Sequence, residues 1–225
     1  MTAERILYVD DCLVCVNKGP TELVEWNDSG ERPLAADVQE ELADSGNDFV
    51  GIVHRLDRPT SGVVIFARTA ECLRRLNAML RDGTIAKTYW AVVDAPPPQA
   101  EGRLEHFVVH ERELNKSYAL SSPRRGARHA ALVYRHIAES DRYHLLEIDL
   151  LTGRHHQIRA QLYRIGCHIR GDLKYGFPRS NPGGGIHLHA RRVSFDHPLT
   201  SQRLTVVAPV PAERLWQFFE QNVDS

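Results

Sequence analysis

Strand-like runs follow one another along most of this 225-residue chain with only short helical stretches between them, and that order decides the fold class. Alternating or β-rich runs occur at Ile6–Val9, Leu13–Asn17, Val63–Ala67, Lys87–Val93, Leu104–Val109, Ala130–Ile137, Tyr143–Leu150, Val193–Phe195 and Leu204–Ala208. Helical spacing is confined to Leu34–Ala43, to the stretch after Thr69, and to the neighbourhoods of Gln157–Ile165 and Ala212–Gln221. Pro33 opens the first helix, and Leu34, Val38 and Leu42 share one of its faces. Thr69 is the expected N-cap of the second, with Glu71 in its first turn, Gly83 beyond its last, and Leu73, Leu76, Met79 and Leu80 on its buried side. Strands in series with few helices predict an α+β fold rather than a doubly wound sheet. Ala95–Ala100, with three prolines, is a stiff connector too short to divide domains. At 42% hydrophobic and 25% charged, the chain supports one sizeable core, and a single domain over 1–225 is expected.

Inside this frame the segment Gly51-Ile-Val-His-Arg-Leu-Asp-Arg-Pro-Thr-Ser-Gly62 gathers the most chemistry. It sets one carboxylate, Asp57, among two arginines, with an apolar run directly after it. Read as extended chain, Arg55 shares the face of Asp57, while Leu56 and Arg58 point the other way. Nearby cations favour the ionised carboxylate, and burial alone opposes it. Residue by residue, a structural Asp–Arg pair at a sheet edge accounts for this pattern as well as a reactive acid does.

His54-Arg-Leu-Asp-Arg-Pro-Thr-Ser-Gly62 closely resembles the catalytic signature of the RluA branch of the pseudouridine synthases, which isomerise uridine to pseudouridine in RNA. Three further segments match in the family's order. Lys87-Thr-Tyr-Trp-Ala-Val-Val93 resembles its Lys-x-Tyr-x-Ala strand, and Leu151-Thr-Gly-Arg-His-His-Gln-Ile-Arg159 resembles its Thr-Gly-Arg-x-His-Gln-Ile-Arg motif. Gly166–Gly176 followed by Leu188-His189-Ala190 resembles its C-terminal run. The chain departs from the pattern at Lys18-Gly19-Pro20-Thr21, where the family has Lys-Pro-x-Gly, at Trp90, and at His155.

The resemblance implies a catalytic domain with a mixed, mainly antiparallel sheet flanked by helices and loops, and an active-site cleft across the sheet. It implies a short form without an appended N-terminal RNA-binding domain. Asp57 is then the essential carboxylate, acting as nucleophile on the ribose or as base. Tyr89 stacks on the uracil, and Arg154 pairs with Asp57. Arg58 or His54 supports the flipped base, beside Arg55. Ile158 and Leu188 line an apolar wall, and Arg159, Arg164, Arg170 and Lys174 contact phosphates. The isomerisation requires no cofactor. The implied partner is ribosomal or transfer RNA, with no obligatory protein partner, and the implied state is a monomer. Two other readings remain at this stage: a catalytically silent RNA-binding protein on the same fold, and a hydrolase pairing Asp57 with Glu147 or Asp149.

No apolar run approaches a membrane span, the acidic start is unlike a secretory signal, and a cytoplasmic location is the default. Cys12, Cys15, Cys72 and Cys167 are too few and scattered for a disulfide framework, and Cys12-x-x-Cys15 is only half of a zinc pattern. Neither His155-His156, expected to point to different faces, nor His187 with His189 supplies a third ligand, so no metal is expected. Ser180–Ile186 lacks the ending of a phosphate-binding loop and reads as a mobile surface loop near the substrate.

The net charge of −1 hides a division. Residues 1–50 carry twelve acids and three bases, whereas residues 51–225 carry 17 acids and 25 bases. Nearly all the basic charge is arginine, whose planar fork suits phosphate. A basic RNA-facing portion after residue 50 implies binding driven by counterion release. RNA affinity in filter binding is therefore expected to fall steeply between about 50 and 200 mM salt, and a flat response would remove the electrostatic reading.

Overall fold

The computed structural model describes residues 3–43 and 49–223; Asp44 and Asp48 of the acidic segment lie outside them. Among the described residues the elements run β1 (Ile6–Val9), β2 (Leu13–Lys18), α1 (Leu34–Leu42), β3 (Gly51–Ile52), β4 (Ser61–Ala67), α2 (Ala70–Arg81), β5 (Ala86–Val93) and β6 (Glu101–Glu111). They continue with β7 (Lys116–Leu120), β8 (Arg128–Glu139), β9 (His144–Leu150), α3 (Gln157–Arg164), β10 (Leu188–Asp196), β11 (Arg203–Val207) and α4 (Arg214–Asn222). This is the α+β pattern the sequence predicts. The short strands β3 and β7 were not anticipated, because two and five residues carry too little periodicity. No helix of the described residues is long and apolar enough to cross a membrane. The chain packs as two compact units. One holds the described residues up to Ala86 with Ala190–Val210; the other holds Lys87–His189 with those from Pro211 onward.

In the first unit β4 is buried along its whole length and pairs antiparallel with β2 and β3. β1 extends β2, and β11 extends β10, both as antiparallel partners. Leu13, Val63, Ile65, Leu76, Phe195 and Val206 share one buried cluster, against which Leu73, Met79 and Leu80 pack as the helical spacing predicts. Thr69 caps α2 as expected, its side chain accepting from the Cys72 amide. The same turn carries Cys72 to Cys12, and the two are joined by a disulfide across a Cα–Cα distance of 5.7 Å. Four scattered cysteines, read as too few for a disulfide framework, thus still form one bridge, while Cys15 and Cys167 are buried thiols.

The second unit is an antiparallel run in the order β5-β9-β8-β6-β7. Helix α3 packs on β6 and β7, placing Ala160 with Val108, Ala119, Ala130 and Tyr175 in a small core. The Ser180–Ile186 segment, expected as a mobile loop, is tied back by Asn181. Its side-chain amide donates to Gly185 O at 2.9 Å and lies 2.9 Å from His187 Nδ1.

Gly62 ends the reactive segment at φ +116°, a region that disfavours any side chain, and a Cβ there would overlap the backbone of Ala190. Gly30 also has positive φ, at +72°, but has open space around it. Gly62→Ala is therefore expected to lower unfolding free energy in urea by about 1–3 kcal/mol more than Gly30→Ala, the excess being the overpacking cost. Equal losses would show that the close approach does not exist in solution.

Candidate active site

The first unit supplies Asp57. The chain does not stay extended through this motif as the alternation predicts, because the Thr60 amide donates to Asp57 O at 2.9 Å and closes a four-residue turn. Leu56 is buried, Asp57 half-buried, and Arg55 and Arg58 are both exposed. Arg55 forms an ion pair with Glu25, and Arg58 with Glu31 at 2.8 Å while its Nε donates to Thr21 O. His54 Nε2 accepts from the Ile65 amide at 3.2 Å, which leaves its ring proton on Nδ1 and fixes the ring beside β4.

What braces the turn is a residue to which sequence reasoning gave no role. Lys18, at the end of β2, is fully buried. Its Nζ donates to Gly19 O at 2.9 Å, Arg58 O at 3.0 Å and Thr60 O at 2.6 Å, one acceptor for each ammonium hydrogen. Burial pushes its pKa down to about 7; Glu22 and Asp57 oppose that fall, and Arg5 and Arg58 add to it. Asp57 thus lies within the field of a buried cation. The available signal was a lysine ending a strand whose first four residues are apolar.

The second unit supplies Tyr89 and Arg154. Tyr89 is 7% exposed on β5, opposite Ile148 of β9. Lys87, two residues earlier and so on the same face, sends Nζ to within 3.5 Å of where a Gly153 Cβ would sit. That proximity brings the Tyr89 face of β5 to the Thr152-Gly153-Arg154 loop. Burial lowers the Lys87 pKa. The loop is shaped by Gln157, whose Oε1 accepts from the Arg154 amide at 3.0 Å and the Thr152 hydroxyl at 2.8 Å. Its Nε2 donates to Ala131 O at 3.1 Å. Arg154 Nε donates to His129 O at 2.9 Å.

The other expected substrate contacts divide. Arg164 and Lys174 are exposed, Arg164 bonding Ser121 and Lys174 bonding Leu114 O and Asn115 O. Arg170 is turned inward to His187 and Glu213. Arg159, expected at a phosphate, is instead 4% exposed and holds Asp172 through two bonds of 2.7 and 2.9 Å; α3 turns it toward the core. Ile158 and Leu188 are both buried. His155 and His156 do not diverge: their rings stack at 3.8 Å because His156 adopts a left-handed backbone at φ +51°. His187 and His189 do share a face, and Trp216 fills it. Glu147 and Asp149, the carboxylates a hydrolase would need, are cross-strand partners. Glu147 takes Arg135 and the Trp90 indole, and Asp149 takes the Thr88 hydroxyl at 2.7 Å.

Because burial depresses the Lys18 pKa from 10.5 to about 7, the unfolded chain binds the extra proton between those values and the folded chain does not. Stability contributed by this group therefore rises with pH across that window. The unfolding free energy of wild type minus that of Lys18→Met is expected to climb from pH 7 to pH 10, on top of a loss of about 1–3 kcal/mol for each carbonyl left without a donor. A pH-independent difference would mean the amine is hydrated.

The description RNA pseudouridylate synthase belongs to the family model that matches residues 12–163, a span holding Asp57, Tyr89 and Arg154. An uncharacterized RNA pseudouridine synthase, slr1629, of Synechocystis sp. is 30% identical over 230 residues, covering 97% of this chain and 69% of that protein. A protein named tRNA pseudouridine synthase C of Haemophilus ducreyi is 32% identical over 234 residues, covering 94% of this chain and 92% of its own. Among solved structures, Human RNA Pseudouridylate Synthase Domain Containing 4 superposes with a TM-score of 0.76 at 24% identity, covering 98% of this chain and 93% of that one, which establishes the shared fold. With its four motifs in order and the match spanning most of its length, the chain belongs to the RNA pseudouridylate synthase family, whose members are isomerases.

Proposed function

We propose that this chain isomerises a specific uridine in structured RNA to pseudouridine, with Asp57 as the essential carboxylate. The single observation that carries the reading is that Asp57 sits on a turn held rigid by the three bonds of Lys18, inside the span that matches the family. A fixed, half-buried carboxylate is what a group attacking the ribose, or removing a ribose proton, requires. The relatives named tRNA pseudouridine synthase C favour transfer RNA over ribosomal RNA as the first pool to test.

The reaction proceeds in four steps. The target uridine leaves its stack, with His54 or Arg58 supporting the open site. Asp57 promotes cleavage of the bond from ribose to the base nitrogen; the detached uracil rotates; and its carbon bonds to the ribose, losing a proton while the freed base nitrogen takes one up. Tyr89 lies on the face of β5 nearest the Thr152–Arg154 loop, which suits stacking on uracil and assistance in that proton loss. Arg154 is the cation this reading assigns to the Asp57 carboxylate during the reaction. In this reading the chain acts as a single catalytic domain and as a monomer in the cytoplasm. Arg164 and Lys174, the exposed members of the expected set, supply phosphate contacts.

Tritium release from RNA labelled at the uracil carbon that becomes bonded to ribose tests the assignment, using transfer and ribosomal RNA from cells lacking the protein. Wild type is expected to release label from one pool. Asp57→Asn should bind the same RNA with unchanged affinity and release none; retained turnover would take Asp57 out of the mechanism.

A further inference from the structure

The end of the hairpin formed by β8 and β9 gathers two imidazoles and a carboxylate that the isomerisation does not use. In a regular strand His136 and Glu139, three residues apart, point to opposite faces. Here a bulge between His136 and Ala138 inserts one residue and reverses the phase, while Glu139 lies directly across from His144. The three side chains therefore converge, with one ligand atom from each lying within 4.8 Å of the others. His136 Nε2 and His144 Nδ1 are 3.2 Å apart, and His144 Nδ1 is 3.6 Å from Glu139 Oε2. Zinc–nitrogen bonds of about 2.0–2.1 Å in a tetrahedron set two bound nitrogens about 3.3 Å apart, so the imidazole pair already has metal-ligand spacing.

We propose that His136, Glu139 and His144 form a zinc-binding site, with two nitrogens, one oxygen and an open fourth position for water. The donor set of two imidazoles and a carboxylate suits a borderline divalent cation such as zinc. Coordination requires the ring protons on the outer nitrogens, His136 Nδ1 and His144 Nε2, and among the described residues no donor claims either one. An ion can enter: Glu139 is 70% exposed and borders an open depression lined also by Ser140, Asp141 and Phe218.

The contrast with a second cluster, Asp10, Cys12 and His197, is informative. There Cys12 is committed to Cys72, and His197 Nδ1 accepts from the Leu199 and Thr200 amides. Its proton is thereby held on Nε2, facing Asp10 at 2.9 Å, where a metal ligand would need a lone pair. In the hairpin cluster the corresponding contact is a hydrogen bond between the two imidazoles themselves, and binding moves its proton to an outer nitrogen, where no donor of the described residues points.

The test is titration of the purified chain, free of any histidine tag, with zinc chloride by calorimetry and with cobalt chloride by visible absorption. Wild type is expected to take up one equivalent of zinc, to give a cobalt band that zinc displaces, and to gain melting temperature with added zinc. His136→Ala and His144→Ala should each lose all three responses while keeping the metal-free melting temperature, and Glu139→Gln should bind more weakly. As a check independent of variants, zinc should perturb the imidazole nitrogen resonances of two of the twelve histidines in wild type. No uptake by wild type, uptake of one equivalent by the His136→Ala/His144→Ala double variant, or perturbation of a different number of imidazoles overturns the proposal.

Discussion

The buried ammonium of Lys18 is the constraint on which the Asp57 half of the site depends. The turn after Asp57 directs the Arg58 and Thr60 carbonyls inward, where water does not reach them, and a buried carbonyl without a donor is costly. One side chain satisfies both, along with Gly19 O, and in doing so ties the end of β2 to the reactive segment that enters β4. The arrangement also explains Gly62. Once the turn is pulled against β2, the chain must enter β4 at a positive φ beside the Ala190 backbone, and no side chain fits there. Charge, turn and glycine are one device, which holds a carboxylate still without burying it fully.

The second unit solves the same problem with neutral groups. Gln157 gathers the Thr152 hydroxyl, the Arg154 amide and the Ala131 carbonyl, so the loop carrying Arg154 is set by hydrogen bonds from the first residue of α3. His156, just before it, accepts a left-handed backbone and is stabilised by packing: its ring stacks on His155 and its Nδ1 lies 3.1 Å from the Tyr175 hydroxyl. Tyr175 in turn is bonded to both the amide and the carbonyl of Ser117. The strain of one residue is thus spread over a strand, a loop and a helix start.

These devices mark the boundary of what was legible in the sequence. Long elements with strong periodicity, such as α2 with its Thr69 cap and the runs that became β4, β8 and β9, could be read because their pattern is local. The four motifs were legible as words. What could not be read were side chains whose partners lie far along the chain: Lys18 with Arg58 and Thr60, Arg159 with Asp172, Cys12 with Cys72. Arg159 is the plainest case. A cation next to a catalytic motif suggests phosphate, yet the helix phase that makes Ile158 and Leu162 core residues also buries Arg159 among them, and only a carboxylate makes that position tolerable. Strict alternation breaks down past Asp57 for the opposite reason, since it assumes a strand and a turn from Asp57 to Thr60 replaces it.

Charge counting was instructive but incomplete for the same cause. The division between an acidic first fifty residues and a basic remainder is real in the sequence, but the two portions do not stay apart: Glu25 and Glu31 of the acidic portion face Arg55 and Arg58 of the reactive motif. All four side chains are substantially exposed, so each pair contributes at most about 1 kcal/mol and is weakened by salt. What matters is where the pairs sit rather than how many charges the chain carries: two acids of the N-terminal portion are spent on the two arginines that flank Asp57 in sequence, so the net charge of either portion overstates what is left unpaired around the motif.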